Sequence, residues 1–257
     1  MNLHQQFTAV SVILVKEVRR FLRIWVQTVL PAAITMTLYF VIFGKMIGSQ
    51  LSDIHGMPYI DYIVPGLILM SMINNSYGNV VSSFFSSKFQ RHVEELLVSP
   101  MPNYLIIIGY VSGGMARGLV VGSVVTLVAS FFVDFKIYNL SIVISVALLT
   151  VTLFSLGGFI NAVFARNFDD VTIIPTFVLT PLTYLGGIFY SVNMLPEFWQ
   201  QISLINPILY MINAMRFGML GVSDINIITA MAIIILFVVG LFLFALYLLN
   251  RGIGVRS

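Results

Sequence analysis

Few residues in this chain could do chemistry, and they are sparse enough to weigh one at a time. Arg117 is the sole charge within the long apolar stretch Tyr104–Val133. An arginine at the middle of a membrane span costs at least about 2.5–3.5 kcal/mol unless it is paired or hydrated, so Arg117 is expected to face the interior of a helix bundle. A second apolar stretch is interrupted by Asn74, Asn75, Ser76, Tyr77 and Asn79. Amides at that depth either hold helices together or line a wet path, and the spacing leaves both open; Arg117 is expected to turn toward them. The three histidines, His4, His55 and His92, lie far apart and outside the apolar stretches. A metal site or an intramembrane serine protease would need one at depth. With no cysteine there is no disulfide or thiolate chemistry. No Gly-x-x-x-x-Gly-Lys-Ser/Thr loop occurs, so the usual nucleotide-phosphate cradle is missing. Of the ten acids none is expected deep in a span, and Asp61 and Asp224 mark span ends. That argues against a carrier driven by protons or sodium on a buried carboxylate, as does the lack of a two-part repeat. What remains looks like a pathway without an engine.

The elements that must position these residues follow from composition. The chain is 59% hydrophobic and only 9% charged, against about 25% charged in soluble domains, which makes it an integral membrane protein. At roughly 20 residues per span, 257 residues allow about six spans and no sizeable soluble domain. The expected architecture is all-α, one transmembrane domain over residues 1–257. In residues 1–23, Phe7, Val10, Leu14, Val18 and Phe21–Leu22 recur at helical spacing, with Lys16, Arg20 and Arg23 opposite and Arg19 beside them. That pattern predicts an interfacial helix with its basic residues at anionic headgroups; a plain cytoplasmic helix is the alternative. The spans are expected at about Ile24–Gly44, Ile60–Phe85, Tyr104–Val133, Leu140–Ala165, Val171–Tyr190 and Ile225–Asn250. Pro31 lies inside the first, and Pro175 and Pro181 interrupt the fifth. Gly114, Gly118 and Gly122, spaced by four, predict a stripe where another helix approaches closely. Residues Ser191–Gly221 are too apolar for a loop and too broken for a span. Pro196 and Pro207 divide them into a re-entrant or interfacial hairpin.

One charged segment stands out between the second and third spans, Ser86–Pro102. Phe89, Val93, Leu96 and Leu97 fall at i, i+4, i+7 and i+8, one face of a helix, while Lys88, Arg91, Glu94 and Glu95 lie mostly off it. Pro100 and Pro102 end it. A short amphipathic helix between two spans either rests on lipid or hands force from a soluble partner to the spans, and the second use is favoured. Orientation follows from the cations. With the N-terminus inside, Lys16, Arg19, Arg20, Arg23, Lys88, Arg91, Arg166, Arg251 and Arg256 are cytoplasmic, against Lys45, Lys136 and Arg216 outside. Both termini and Ser86–Pro102 are then cytoplasmic, and the Ser191–Gly221 hairpin is on the far side.

Three features together resemble the ABC-2 type permease family, the membrane subunits of bacterial ATP-driven exporters. These are the basic N-terminal helix before six spans, the segment FQRHVEELLVSP (Phe89–Pro100), and LGGIFYSVNMLPEFWQQISLINPILYMINAMRFG (Leu185–Gly218) before the last span. The resemblance runs over the whole chain. It implies a half-transporter in the bacterial inner membrane, two copies forming the pathway and two copies of a separate ATPase docking beneath. Residues Lys88–Val98 would be the coupling helix, with Lys88, Phe89, Arg91, Val93, Glu94, Glu95, Leu96, Leu97 and Pro100 serving the ATPase contact. The N-terminal helix with Lys16, Arg19, Arg20 and Arg23 would lie at the membrane interface and contact the same ATPase. Asn74, Asn75, Asn79 and Arg117 are the candidates to line the pathway, with helix-to-helix hydrogen bonding the alternative. Leu195, Pro196, Asn206, Pro207, Tyr210 and Arg216 would shape the periplasmic exit. No cofactor is expected in this chain, ATP and magnesium being held by the partner ATPase, and no nucleic acid is implied. Family members of this kind move drugs, polysaccharides or lipid-linked oligosaccharides. An ATP-independent carrier and a membrane scaffold are the alternatives.

Overall fold

The computed structural model describes residues 2–48, 54, 56–134 and 137–254, the side chains of Lys45 and Ile47 excepted. His55, Lys136 and Arg256, used above, lie outside the described residues or in their gaps. Every named element among the described residues is a helix. Four helical stretches are long and apolar enough to cross a membrane: Trp25–Gly44, Asn103–Ala129, Leu140–Phe164 and Ile227–Arg251.

Helix α1 (Leu3–Arg23) is the first departure from the periodicity. Its buried face is Ile13, Glu17 and Phe21, each four residues on from the last, while Phe7 and Leu22, expected on the apolar face, are exposed. The reason lies on α6 (Asn103–Ala129), where Gly109 and Gly113 leave room for Ile13 and the Glu17 stem. Helix α1 therefore packs along the start of α6, and the Tyr104 hydroxyl donates to Gln6 at 3.2 Å. The chain then continues through α2 (Trp25–Thr28), α3 (Leu30–Tyr39) and a π-helical segment, Phe40–Ile47. Pro31 needs no rescue by a neighbouring helix, because it falls in the first turn of α3, where its missing N–H has no intrahelical partner anyway.

The hub is α4 (Tyr59–Phe89), 31 residues and so roughly 46 Å long. It packs between α6 and α7 (Leu140–Phe164). Small residues make that approach possible. A Cβ on Gly114 would overlap the Ser155 hydroxyl and Val80, one on Gly118 would meet Val151 and Ser76, and one on Gly122 would meet Met72. The glycine stripe is thus the seam of α6 with both neighbours. From the α7 side, Gly158 comes against the Tyr77 carbonyl.

The expected single helix over Ser86–Pro102 is two elements. Helix α4 continues through Phe89, the chain turns at Gln90–Arg91, and α5 (His92–Val98) starts afresh. Arg91 has φ 63°, the left-handed region that a side chain with a Cβ enters at a cost of roughly 1–2 kcal/mol. Lys88 and Phe89 consequently belong to the end of α4.

The expected span Val171–Tyr190 is displaced toward its N-terminus. Helix α8 (Phe168–Ile174) runs into a π-helical segment, Pro175–Leu179, and then α9 (Thr180–Leu185). Asn167 caps its start by accepting from the Asp170 N–H at 2.8 Å. Gly187, at φ 79°, turns the chain away before Tyr190. Helix α10 (Glu197–Ile205) and helix α11 (Pro207–Leu220) form the hairpin, the second capped by the Asn206 side chain, which accepts from Ile208 N–H at 3.0 Å. Helix α11 is a core element: Ile208, Leu209, Met211, Ile212 and Ala214 are fully buried against α4, α7 and α12 (Ile227–Arg251).

Candidate functional site

At the end of the bundle where α4 and α7 finish and α6 begins, α5 crosses the chain ends. Val93 anchors it with 1% exposure, and Leu96 and Leu97 are half-buried behind. Glu94, Glu95 and Val98 point out to solvent, Val98 at 86% exposure. Pro100 is exposed as well. Lys88, by contrast, faces inward. Its Nζ donates to the carbonyls of Val163 at 2.6 Å and Ala165 at 2.8 Å. These are carbonyls at the C-terminus of α7, which lack helical donors and carry the negative end of the helix dipole. Burial holds this ammonium below its ordinary pKa, and the nearby Asp170 carboxylate opposes the shift. Phe89, 62% exposed, lies 5.2 Å from Phe168 between ring centroids, and Phe85 meets the same ring edge-on at 5.0 Å. The end of α4 is thereby fastened to α7 by a cation and to α8 by an aromatic cluster. Beside them an open cleft of about 630 Å³ is lined in part by Lys88, Phe89, Arg91, Glu94 and Arg166.

A polar seam runs along α4 toward the bundle interior. Arg117 donates from Nη2 to Asn75 Oδ1 at 3.1 Å. One turn further, Arg20 donates to both the backbone oxygen and Oδ1 of Asn79, each at 2.9 Å. Asn75 and Asn79 are therefore brought together with arginines, whereas Asn74 faces away and is exposed. Arg20 also leaves the set of headgroup cations expected of α1. Lys16, Arg19 and Arg23 are exposed, but Arg20 pairs with Glu17 at 3.2 Å. Glu17 is fully buried and accepts from the Ser83 hydroxyl at 2.5 Å. Glu17 lies on α1, outside the expected spans, and a buried acid there was not foreseen. It sits on the Ile13–Phe21 stripe with an arginine three residues on, a stripe hidden in the sequence by the spacing of Phe7, Val10, Leu14 and Val18.

At the opposite end Arg216, 1% exposed, donates to the Gly187 carbonyl at 2.7 Å and covers the Tyr62 ring at 3.8 Å. Asp224 stands 4.0 Å from it and also accepts from the Ser191 hydroxyl at 2.9 Å, while its own N–H donates to Asn213 Oδ1 at 3.0 Å. This clamp joins α11, α4 and both hairpin connections; sequence reading had Arg216 but took Asp224 only as a span end. The other hairpin residues are spread out. Asn206 is buried and donates to the Leu182 carbonyl at 2.6 Å, and Tyr210 donates to the Leu204 carbonyl at 2.7 Å. Leu195 and Pro207 are half-buried, and Pro196 is exposed.

Comparison with known proteins covers all three regions. The family model described as ABC-2 type transporter matches residues 8–220, from α1 to the end of α11. The chain is 53% identical over 255 residues to the inner membrane transport permease YadH of Escherichia coli (strain K12), covering 99% of this chain and 100% of that one. It is 24% identical over 209 residues to nodulation protein J of Rhizobium leguminosarum bv. viciae, covering 81% of each. With a model match from α1 to α11 and a full-length relative, the chain belongs to the ABC-2 type transporter family.

Proposed function

We propose that this chain is the permease subunit of an ATP-driven exporter in a bacterial inner membrane, two copies forming the pathway above two copies of a separate ATPase. The observation that carries the reading is α5. It is anchored to the bundle by Val93 while offering Glu94, Glu95 and Val98 to solvent, and it joins α4 to α6. A surface of two carboxylates beside an apolar side chain suits a groove on a soluble partner with basic rims.

Six crossings with both termini in the cytoplasm fit the helices. Four stretches are apolar enough alone; α4 has the length for a fifth, and α8 with its π-helical segment and α9 would supply the sixth. In this arrangement ATP closes the ATPase dimer and displaces α5. The displacement passes to α4 through Val93, and from the end of α4 to α7 and α8 through Lys88 and the Phe85–Phe89–Phe168 cluster. The spans then exchange access, with the α4 face bearing Asn75 and Asn79, together with Arg117, on the pathway and the α10–α11 hairpin at the exit. The exposed Asn74 is placed at the pathway's edge. Lys16, Arg19 and Arg23 would sit at lipid headgroups. ATP and magnesium belong to the partner, and the substrate class is amphipathic: drug, lipid or lipid-linked saccharide.

The test is complex recovery. The tagged chain, drawn from its native membrane in mild detergent, is expected to bring a near-stoichiometric soluble ATPase. Glu94→Ala with Glu95→Ala is expected to reduce that recovery severalfold with the permease yield unchanged. Equal recovery by the double variant would take both carboxylates out of docking.

A further inference from the structure

The polar seam on α4 carries more positive charge than it neutralises. Arg20 has Glu17, but Arg117 has no ion pair among the described residues, its one side-chain partner being the neutral Asn75 amide. The Nε atoms of Arg20 and Arg117 and the Nδ2 of Asn79 are buried donors without a partner among the described residues. Asn75 and Asn79 are one turn apart on α4, roughly 6 Å along the axis, so Arg117 and Arg20 reach that helix on successive turns. Buried donors left empty are costly, and two adjacent cations raise the cost. The space they face is open. A Cβ built on Gly78, between the two asparagines, would meet nothing within 4 Å, unlike most glycines of the bundle. Asn75, Gly78 and Ser82, on the same side of α4, are only half-buried, whereas most of that helix is fully buried. Arg20 also borders the exposed side of α1 that carries Lys16, Arg19 and Arg23.

From this geometry we infer that Arg20, Arg117, Asn75 and Asn79 form an oxyanion site that takes a phosphate group, reached past the exposed cations of α1. Planar guanidiniums bind phosphate through paired N–H donors, and Arg117 supplies the charge that Glu17 does not cancel. The inference deepens the pathway reading by giving the passing molecule an anionic head, and it rests on that reading only for the claim that the head moves. The phosphate has two possible sources, the headgroup of an anionic phospholipid or a phosphate-bearing soluble molecule, and their chemistry at the site is the same.

The test uses the purified full chain without any ATPase. Native mass spectrometry with added phosphatidylglycerol, against phosphatidylcholine, reads the lipid source; a thermal-shift titration with inorganic pyrophosphate reads the soluble one. Binding of at least one probe is expected, weakened tenfold or more in Arg117→Gln and partly restored in Arg117→Lys. Gly78→Leu provides the second variant. Its Cβ meets no neighbour within 4 Å, so the leucine should enter the open space, fold normally and block the same binding. Failure of both probes to bind, or equal binding by Arg117→Gln and Gly78→Leu, would overturn the site and leave Arg117 a hydrated structural charge. Since ATPase recovery is measured separately, loss of the site with recovery intact leaves the permease reading standing. Anion binding by a chain that brings no ATPase out of its native membrane would instead keep the site and remove the exporter reading.

Discussion

Glu17 sets the tension at the residue scale. It is a carboxylate with no exposed surface, held by Ser83 and by Arg20, which is itself about a third exposed. Removing one partner of a fully buried pair costs roughly 3–5 kcal/mol; the partial exposure of Arg20 lets water meet part of its charge and lowers the figure to about 2 kcal/mol. Glu17→Ala is therefore expected to lower the thermal midpoint of the solubilised chain clearly, while Lys16→Ala, on the exposed side of the same helix, leaves it unchanged. Matching melting curves for the two would show that the cluster does not hold α1 in place. The residues divide by how few options each had. Arg117 was legible because an arginine among apolar residues must find polar company, and Asn75 supplied it. Glu17 was not legible, since a helix read by its hydrophobic face assigns every charge to solvent. Its burial depends on Gly109 and Gly113, about ninety residues away in the chain and on another helix. Asp224 escaped for a similar reason: its partner Arg216 is near in sequence but reaches it only through a folded turn.

Among elements, the small residues of α6 decide the bundle's spacing. Gly114 has the Ser155 hydroxyl, Val80 and the Ser76 carbonyl where a Cβ would go, and the last is backbone that cannot rotate aside. Overpacking of this sort typically costs 1–3 kcal/mol, so about 2 kcal/mol is expected for Gly114→Ala, against the small gain from helix propensity. Gly240, on α12 with no atom within 4 Å, is the control, and its alanine variant should be neutral or slightly stabilising. The measurement is urea unfolding of both variants in the same detergent; a silent Gly114→Ala would mean that α4 and α7 can move away from α6 freely. Helix positions were legible wherever apolar runs were long. The break at Gln90–Arg91 was not, because neither residue is a glycine or proline and the spacing of Phe89, Val93 and Leu96 stays in helical phase across it. The fifth expected span began three residues late for want of attention to Asn167, a capping residue immediately before Phe168.

For the whole molecule, composition was enough to give a helical membrane protein, and motif order along the chain was enough to give the family. How α1 sits was beyond both, since an amphipathic helix has the same sequence whether it lies on lipid or packs on a neighbour. The central claim is that the nucleotide state of a partner moves α5. The chain has no cysteine, so Val98→Cys, at the most exposed apolar position of α5, carries a single spin label per copy. The decisive measurement is the distance between the two labels in the ATPase complex, in lipid nanodiscs, with and without ATP trapped on the partner. A pair distance that shortens on trapping is the predicted result, since in the proposed mechanism ATPase closure draws the two α5 helices together. One unchanged distribution in both states, or no distance between copies at all, would contradict it.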